Sequence, residues 1–369
     1  SALLANGVSI VGRSFKLHRP RGIVGCGSEE PNAIMQIGVG AQTEPNPRAT
    51  QIELVQGLEA TSTKGWPGLR LDVGEIGDLL GRVFSAGFYY KTFMYPRFMW
   101  RLYERFIRRS AGFGKVPAES DPDQYEHSNA HCDVLVVGAG PAGLMAALAA
   151  AKSGASVMLV DEQNEPGGRL LSSSEAIDSR PASDWIAAMR AQLEQFEDFN
   201  LLTRSTTFGY YDHNYVTIAE RCREFPGSTS QVRQRLWKVR AKQVVLAQGA
   251  FERPLVFCNN DRPGVMLASA VSSYVIRYAV CPGRRVVIFT NNDSAYQTAL
   301  DLAQRGIQVA AVIDSRIGGA DGALSAILDA EGIPMMLGHI VCDVIGRHRV
   351  SGVKVARWRR LHYRALDAN

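Results

Sequence analysis

The chain has 369 residues, of which 46% are hydrophobic and 21% charged, and its formal net charge is +5. That length suits two or three domains with buried cores, the composition is globular rather than disordered, and the charge is too small to indicate nucleic acid. No apolar run reaches the roughly 18 residues of a spanning helix, so neither a membrane nor a nucleic acid is expected as a partner.

Residues 1–60 are short apolar runs broken by Gly and Pro. Ser1 to Gly7 reads as the end of a helix with Gly7 as its C-cap, so the start is expected to be a fragment boundary. Residues 61–130 are aromatic and basic, then polar. Phe88 to Pro96 is aromatic-rich, and Arg97, Arg101, Arg105 and Arg108 follow helical spacing with Phe98, Trp100, Tyr103 and Phe106 between them. A helix packed by its aromatic side on this chain or on a partner subunit is the reading preferred over a nucleic-acid or membrane-surface helix, because no basic tail accompanies it. Lys115 to Ala130 reads as a linker.

Residues 131–280 carry the densest signal. Val134 to Val137 is a buried-strand run, Gly138, Gly140 and Gly143 fit G-x-G-x-x-G, Leu144 to Lys152 is helical, and Ser156 to Val160 is a second strand ending on Asp161 and Glu162. Gly138 permits the tight turn, Gly140 lets backbone approach a pyrophosphate, and Gly143 lets the helix lie on the strand. The N–H groups at the helix start, from Ala142 onward behind Pro141, face phosphate charge. Asp161, or Glu162 beside it, stands about 20 residues past the turn, where a ribose hydroxyl is held. Gln163 follows, then a loop through Gly168 and Arg169 with glycines at close-approach positions. Asp184 to Phe196 is an amphipathic helix, residues 201–246 are strand-rich, and the last strand runs into Ala247 and Gly249. The expected cofactor-binding set is therefore Gly138, Gly140, Pro141, Ala142, Gly143, Asp161, Glu162, Gln163, Gly168, Arg169, Ala247 and Gly249.

Residues 281–369 repeat the architecture. Val134 to Asp161 spans 27 residues and Val286 to Asp314 spans 28, each a strand–turn–helix–strand ending on an acid. Thr290, Asn292 and Ala295 stand where Gly138, Gly140 and Gly143 stand. Asn292 places a side chain where a pyrophosphate needs bare backbone, so the second unit is expected to bind a dinucleotide poorly or not at all. Val341 to Val355 reads as a hairpin.

The six cysteines are scattered with no C-x-x-C, which argues against zinc, a redox dithiol or a disulfide framework and fits a reducing cytoplasm. The seven histidines show no metal spacing, His213 reads as a turn residue, and no nucleophile elbow is present. No catalytic or metal-ligating residue is named on this basis.

Two such units, joined by a segment that includes Ala247, Gly249 and Glu252-Arg253-Pro254, resemble the two-dinucleotide-domain flavoproteins typified by thioredoxin reductase. Gly12 to Gly22, Ser28 to Ala33, Phe88 to Pro96 and Asn260 to Ala268 resemble the alpha subunit of heterotetrameric sarcosine oxidase. The fold expected from this resemblance is α/β, with a ferredoxin-like N-terminal segment lacking a cluster and then tandem Rossmann-like, thioredoxin-reductase-like domains. Iron–sulfur relatives of the family carry C-x4-C-x2-C after the Arg-Pro-Arg-Gly. Here Gly25, Glu30 and Ala33 take those places and Cys26 lies one position off, while a cluster needs four thiolates.

The resemblance implies oxidative demethylation of sarcosine to glycine, with formaldehyde or one-carbon transfer and hydrogen peroxide. It places the amine-oxidising FAD on a beta-type flavoprotein subunit, FMN at the interface with that partner, and NAD in this chain, with smaller subunits completing the complex. It also implies a folate-binding region after the second unit, a return of the chain to the first dinucleotide domain, and so an incomplete chain that does not act as a monomer. The alternative is a reductase or dye-linked amino-acid dehydrogenase subunit of the pyridine nucleotide–disulfide type, holding FAD in the same site.

Overall fold

A computed structural model describes residues 1–79, 95–223, 231–319 and 322–358. The N-terminal segment holds a small antiparallel sheet of β1 (Ile34–Ile37), β2 (Glu44–Arg48) and β3 (Ala60–Ser62), with β1 in the middle. Its apolar centre is not self-contained. Val11, Ile23 and Ala33 pack with Leu267, Ala270 and Tyr274, which come from beyond the first dinucleotide-type unit. Arg13 is buried and fully used: it donates to the carbonyls of His18, Leu69 and Arg70 and pairs with Glu75 at 3.0 Å.

Helix α1 (Trp100–Ala111) follows a short helical turn, Arg97–Met99, and ends at Gly112, whose φ of 67° provides the left-handed cap. Arg97, Arg101, Arg105, Arg108 and Arg109 are exposed, as are Tyr95 and Phe98. Phe84, Phe88, Tyr89, Tyr90 and Phe93 of the aromatic stretch lie outside the described residues, as does the side chain of Phe106.

The central layer is a six-stranded sheet. In chain order its strands are β4 (Gln124–Val137), β5 (Val157–Val160), β6 (Phe199–Leu202), β7 (Ser205–Tyr211), β8 (Tyr215–Arg221) and β9 (Val232–Leu246). The spatial order is β6-β5-β4-β9-β8-β7, parallel from β6 to β9 and antiparallel beyond. β4 starts at Gln124, inside the stretch read as linker from its polar residues. It does so because β9 is long enough to pair with it from Val232 onward. Helices α2 (Pro141–Lys152) and α3 (Ala182–Leu193) cover one face. α2 buries Gly143, Leu144, Ala147, Leu148 and Ala151, a helical stripe, with each buried Leu contributing about 1.5–3 kcal/mol. The other face buries Leu135, Met158, Val160, Val216, Ile218 and Val239.

The second unit has β10 (Arg285–Thr290), α4 (Ser294–Gln304), β11 (Gln308–Asp314), α5 (Gly322–Ala330) and β12 (Met335–Leu337), in a parallel sheet of order β10-β11-β12. β13 (His339–Ile345) and β14 (Gly352–Arg357) form the closing hairpin. Each of the two strand–turn–helix–strand units has its own core.

Candidate dinucleotide site

The three glycines at the end of β4 do three different jobs. Gly138 has φ of +101° and a Cβ there would lie 2.4 Å from the Ala247 carbonyl oxygen, so the turn closes only on glycine. A Cβ on Gly143 would lie 1.8 Å from the Gly138 carbonyl oxygen, so the helix reaches the strand only without a side chain. Gly140 is different. Its φ is −71°, open to any residue, and the nearest atom to a Cβ there is the Gly168 Cα at 4.0 Å. Nothing in the chain's own packing requires glycine at this position.

α2 starts with Pro141 in its first turn and Gly140 as N-cap, with no side-chain hydrogen bond at the cap. Pro141 and Ala142 are exposed. The helix start therefore presents unclaimed N–H groups and its positive dipole end at a turn without side chains. Gly168, at φ +54°, faces Gly140 so closely that a Cβ on it would come within 2.9 Å of the Gly140 Cα. Gly168 and Arg169 also line a cavity of about 1610 Å³, with Glu162, Gln163 and Asn164 on the same wall. This geometry fits the pyrophosphate and adenosine end of a dinucleotide.

The two acids at the end of β5 are separated by function. Asp161 is buried; its Oδ2 accepts from the Ala139 N–H at 2.6 Å and its Oδ1 from the Gln163 N–H at 2.8 Å. It fixes the glycine turn. Glu162 is the carboxylate on the cavity wall, and its Oε1 accepts from the Ser28 hydroxyl at 3.1 Å. Gln163 Oε1 accepts from Arg277 at 2.6 Å, and Arg277 also pairs with Glu165 at 2.6 Å, which anchors the loop after Glu162. Ala247 donates its N–H to the Val137 carbonyl at 2.7 Å, and Gly249 has φ of +70° with open space around its Cα. Glu252, from the Glu-Arg-Pro segment, accepts from the N–H groups of Ala268 and Ser269.

Several residues on this wall come from segments that carry no local motif. Ser28, Thr50, Gln51, Ile52 and Glu53 belong to the N-terminal segment, and Arg221 to β8. Arg221 donates to the Gln51 and Glu162 carbonyls at 2.8 and 3.3 Å, and Arg204 pairs with Glu53 at 2.5 and 2.8 Å. Local sequence signals do not reveal them, because only the fold brings residues 28 and 50–53 to residue 162.

The second turn is filled by its own side chains. Thr290 Oγ1 accepts from the Asn292 N–H at 3.1 Å and donates to its carbonyl at 2.8 Å. Asn292 Oδ1 accepts from the Ser294 N–H at 3.1 Å and its hydroxyl at 2.6 Å. Asp314 is buried and accepts from Tyr296 at 2.8 Å and from Arg316 at 2.7 Å, while Arg316 also pairs with Asp293 at 2.8 Å. Burial pushes the Asp314 carboxyl up, but the hydrogen bonds from Arg316 and Tyr296 outweigh it and hold it below the usual range.

A family model described as pyridine nucleotide-disulphide oxidoreductase matches residues 132–365. The chain belongs to the pyridine nucleotide-disulphide oxidoreductase family. It is 48% identical over its whole length to sarcosine oxidase subunit alpha of Rhizobium meliloti, covering 37% of that protein. It is 40% identical to the same subunit of a Corynebacterium species, with 93% of this chain and 31% of that protein covered. The chain thus spans about a third of the length of these relatives. A crystal structure of L-proline dehydrogenase from P. horikoshii shares its fold, with a TM-score of 0.58 at 18% identity over 96% of this chain and 54% of that one.

A second family model, described as a 2Fe-2S iron-sulfur cluster binding domain, matches residues 1–65. The residues present do not fit a cluster. Cys26 is the one cysteine in that range, whereas four thiolates are needed. Glu30 is fully buried, and its two carboxylate oxygens accept from the N–H groups of Val24, Gly25, Asn32 and Ala33 at 2.7, 2.7, 2.7 and 3.1 Å. A Cβ on Gly25 would lie 2.6 Å from Glu29 Oε1, so a cysteine there would displace the Glu29 side chain. Burial pushes the Cys26 thiol up, away from the thiolate form that ligates iron. Among the described residues no group of three or more His, Cys, Asp or Glu side chains could hold a metal ion, and no helix is long and apolar enough to cross a membrane.

Proposed function

We propose that this chain is the dinucleotide-holding portion of the alpha subunit of a sarcosine oxidase complex. The complex oxidises sarcosine to glycine, with the methyl carbon leaving as formaldehyde or by one-carbon transfer and with formation of hydrogen peroxide. One observation carries the reading: 48% identity over the entire chain to a subunit of that name. NAD is the proposed occupant of the first turn, with FAD the alternative in the same site. When bound, such a group supplies hydride or electron transfer.

The chain's own residues do the holding. Gly140, with Pro141, Ala142 and Gly143 at the helix start, receives the pyrophosphate; Glu162 accepts from a ribose hydroxyl; Gly168, Arg169, Ala247 and Gly249 shape the remaining walls; and Asp161 and Gln163 keep the turn in place. The amine-oxidising site is assigned to a beta-type flavoprotein partner, with FMN at the shared interface and smaller subunits completing a heterotetramer. The seating of Glu30 supports the absence of an iron–sulfur cluster, and six free cysteines support a cytoplasmic location. The filled second turn gives a self-contained reductase less support.

The test is to purify the complex with its partner subunits, denature it, and identify the released nucleotide by mass spectrometry. NAD in equimolar amount is expected; FAD from this chain moves the assignment to the reductase reading, and no nucleotide at all removes it. The chain alone should form no peroxide from sarcosine. A monodisperse monomer that oxidises sarcosine unaided overturns the division of labour.

A further inference from the structure

The loop of residues 24–33 is the part of the N-terminal segment where a cluster would have been wrapped, and it has been rebuilt around carboxylates. Glu30 takes four backbone N–H groups, as described above. Glu29 Oε1 takes two more, from Cys26 at 2.6 Å and Gly27 at 3.1 Å. Outside contacts then fix the loop as a unit. Tyr274, buried at 1% exposure, donates its hydroxyl to the Gly25 carbonyl at 3.1 Å; the Leu267 N–H donates to the Val24 carbonyl at 2.9 Å; and Thr50 donates to the Gly27 carbonyl at 2.7 Å. Six inward N–H bonds and three outside bonds leave one side chain at the tip pointing elsewhere. That side chain is Ser28, and its hydroxyl donates to Glu162 Oε1.

We propose that this loop serves as the ribose-side wall of the dinucleotide site, with Ser28 as the positioning residue that aims the Glu162 carboxylate at the adenosine ribose. This deepens the reading above and rests on it. Glu162 sits on a loop, where a carboxylate on a flexible stem loses rotamer freedom when it must accept from a ligand. Ser28 occupies Oε1 and leaves Oε2 with no partner among the described residues, and Glu162 lines the cavity that also bears Gly168. Gln51 and Glu53 of the same N-terminal segment, tied to Arg221 and Arg204, continue that wall beside Glu162.

The test uses the full chain freed of nucleotide, with ADP and 2′-deoxy-ADP as probes in titration calorimetry. The parent is expected to prefer ADP by about tenfold, the effect of one hydrogen bond to a charged group. Ser28→Ala should weaken ADP by about tenfold and 2′-deoxy-ADP by less than about twofold, so that the preference disappears. Ser28→Thr, which keeps the hydroxyl, should retain it. Equal weakening of both probes would mean that Ser28 merely supports the wall, and unchanged binding of both would mean that it does nothing; either result overturns the proposal. A folded parent that binds neither probe overturns the dinucleotide reading as well, and is told apart because the failure then precedes any substitution.

Discussion

The two turns of this chain, Gly138 to Gly143 and Thr290 to Ala295, sit on the same strand–turn–helix–strand scaffold and end in opposite states. In the first, the only carboxylate used internally is Asp161, which takes one N–H behind the turn, and the cap position carries no side chain. In the second, Thr290, Asn292 and Ser294 satisfy one another, and Arg316 bridges Asp293 to Asp314. The same scaffold thus carries one turn whose helix-start donors are left open and one whose donors are consumed by neighbouring side chains, and only the former suits an anion.

The largest effect is expected from Gly143→Ala. With a Cβ 1.8 Å from the Gly138 carbonyl, helix and strand must separate, and a loss of several kcal/mol is expected in denaturant unfolding together with loss of binding. Gly140→Val should leave the fold nearly intact, because a Cβ there meets nothing closer than 4.0 Å. It should nonetheless weaken NAD by at least about a hundredfold, since the branched side chain occupies the pyrophosphate's space. Retained occupancy in a folded Gly140→Val protein would remove this turn from the assignment.

Glu30→Ala probes the N-terminal segment. Four N–H donors lose their acceptor, and at about 1–3 kcal/mol each for the buried ones, Gly25 and Ala33, the segment should melt early. Iron and acid-labile sulfide assays on anaerobically purified parent should be blank; stoichiometric iron would show that the register of residues 21–35 is wrong. Next comes the acid pair. Glu162→Gln should narrow the preference for NAD over NADP by about tenfold, because the carboxylate repels a 2′-phosphate. Asp161→Asn should act chiefly on stability through the Ala139 N–H. The reverse pattern would exchange their roles.

The smallest effect expected is one of pH. Asp314 is held below the ordinary Asp value, so its stabilising contribution is present above that value, about 3.9, and is lost as pH falls through the lower folded value. Acid titration of a reporter in the second unit should show loosening below about pH 4, and Arg316→Met should abolish that sensitivity. Asp133 of the first unit is also held low, at about 2, first by its bond from Lys242 at 2.6 Å, but that pair is exposed and should contribute little to the pH dependence.

Much of this was legible without coordinates. The apolar run at Val134, the glycine spacing, the Ala-rich helix and the acid at the next strand end are patterns local in sequence, although the strand pairing and the Asp161 bond to Ala139 join residues 22 or more apart. The helix at Arg97 to Arg109 and the turn at His213 were legible for the same reason; His213 has φ of 57° in a short helical turn. The start of β4 at Gln124 was not legible. Polar residues there are strand only because β9 pairs with them from more than a hundred residues away.

The class of fold and the difference between the open first turn and the side-chain-filled second one were written in the local sequence, because glycine, asparagine and threonine differ in what their own backbone and side chain permit within one turn. The tertiary structure alone shows which acid lines the cavity, that Glu30 is seated on four backbone N–H groups, and that residues 28 and 50–53 stand beside residue 162. Those are contacts between segments far apart in the chain, fixed by a core that Val11, Ile23 and Ala33 share with Leu267, Ala270 and Tyr274, and no local propensity encodes where such segments meet.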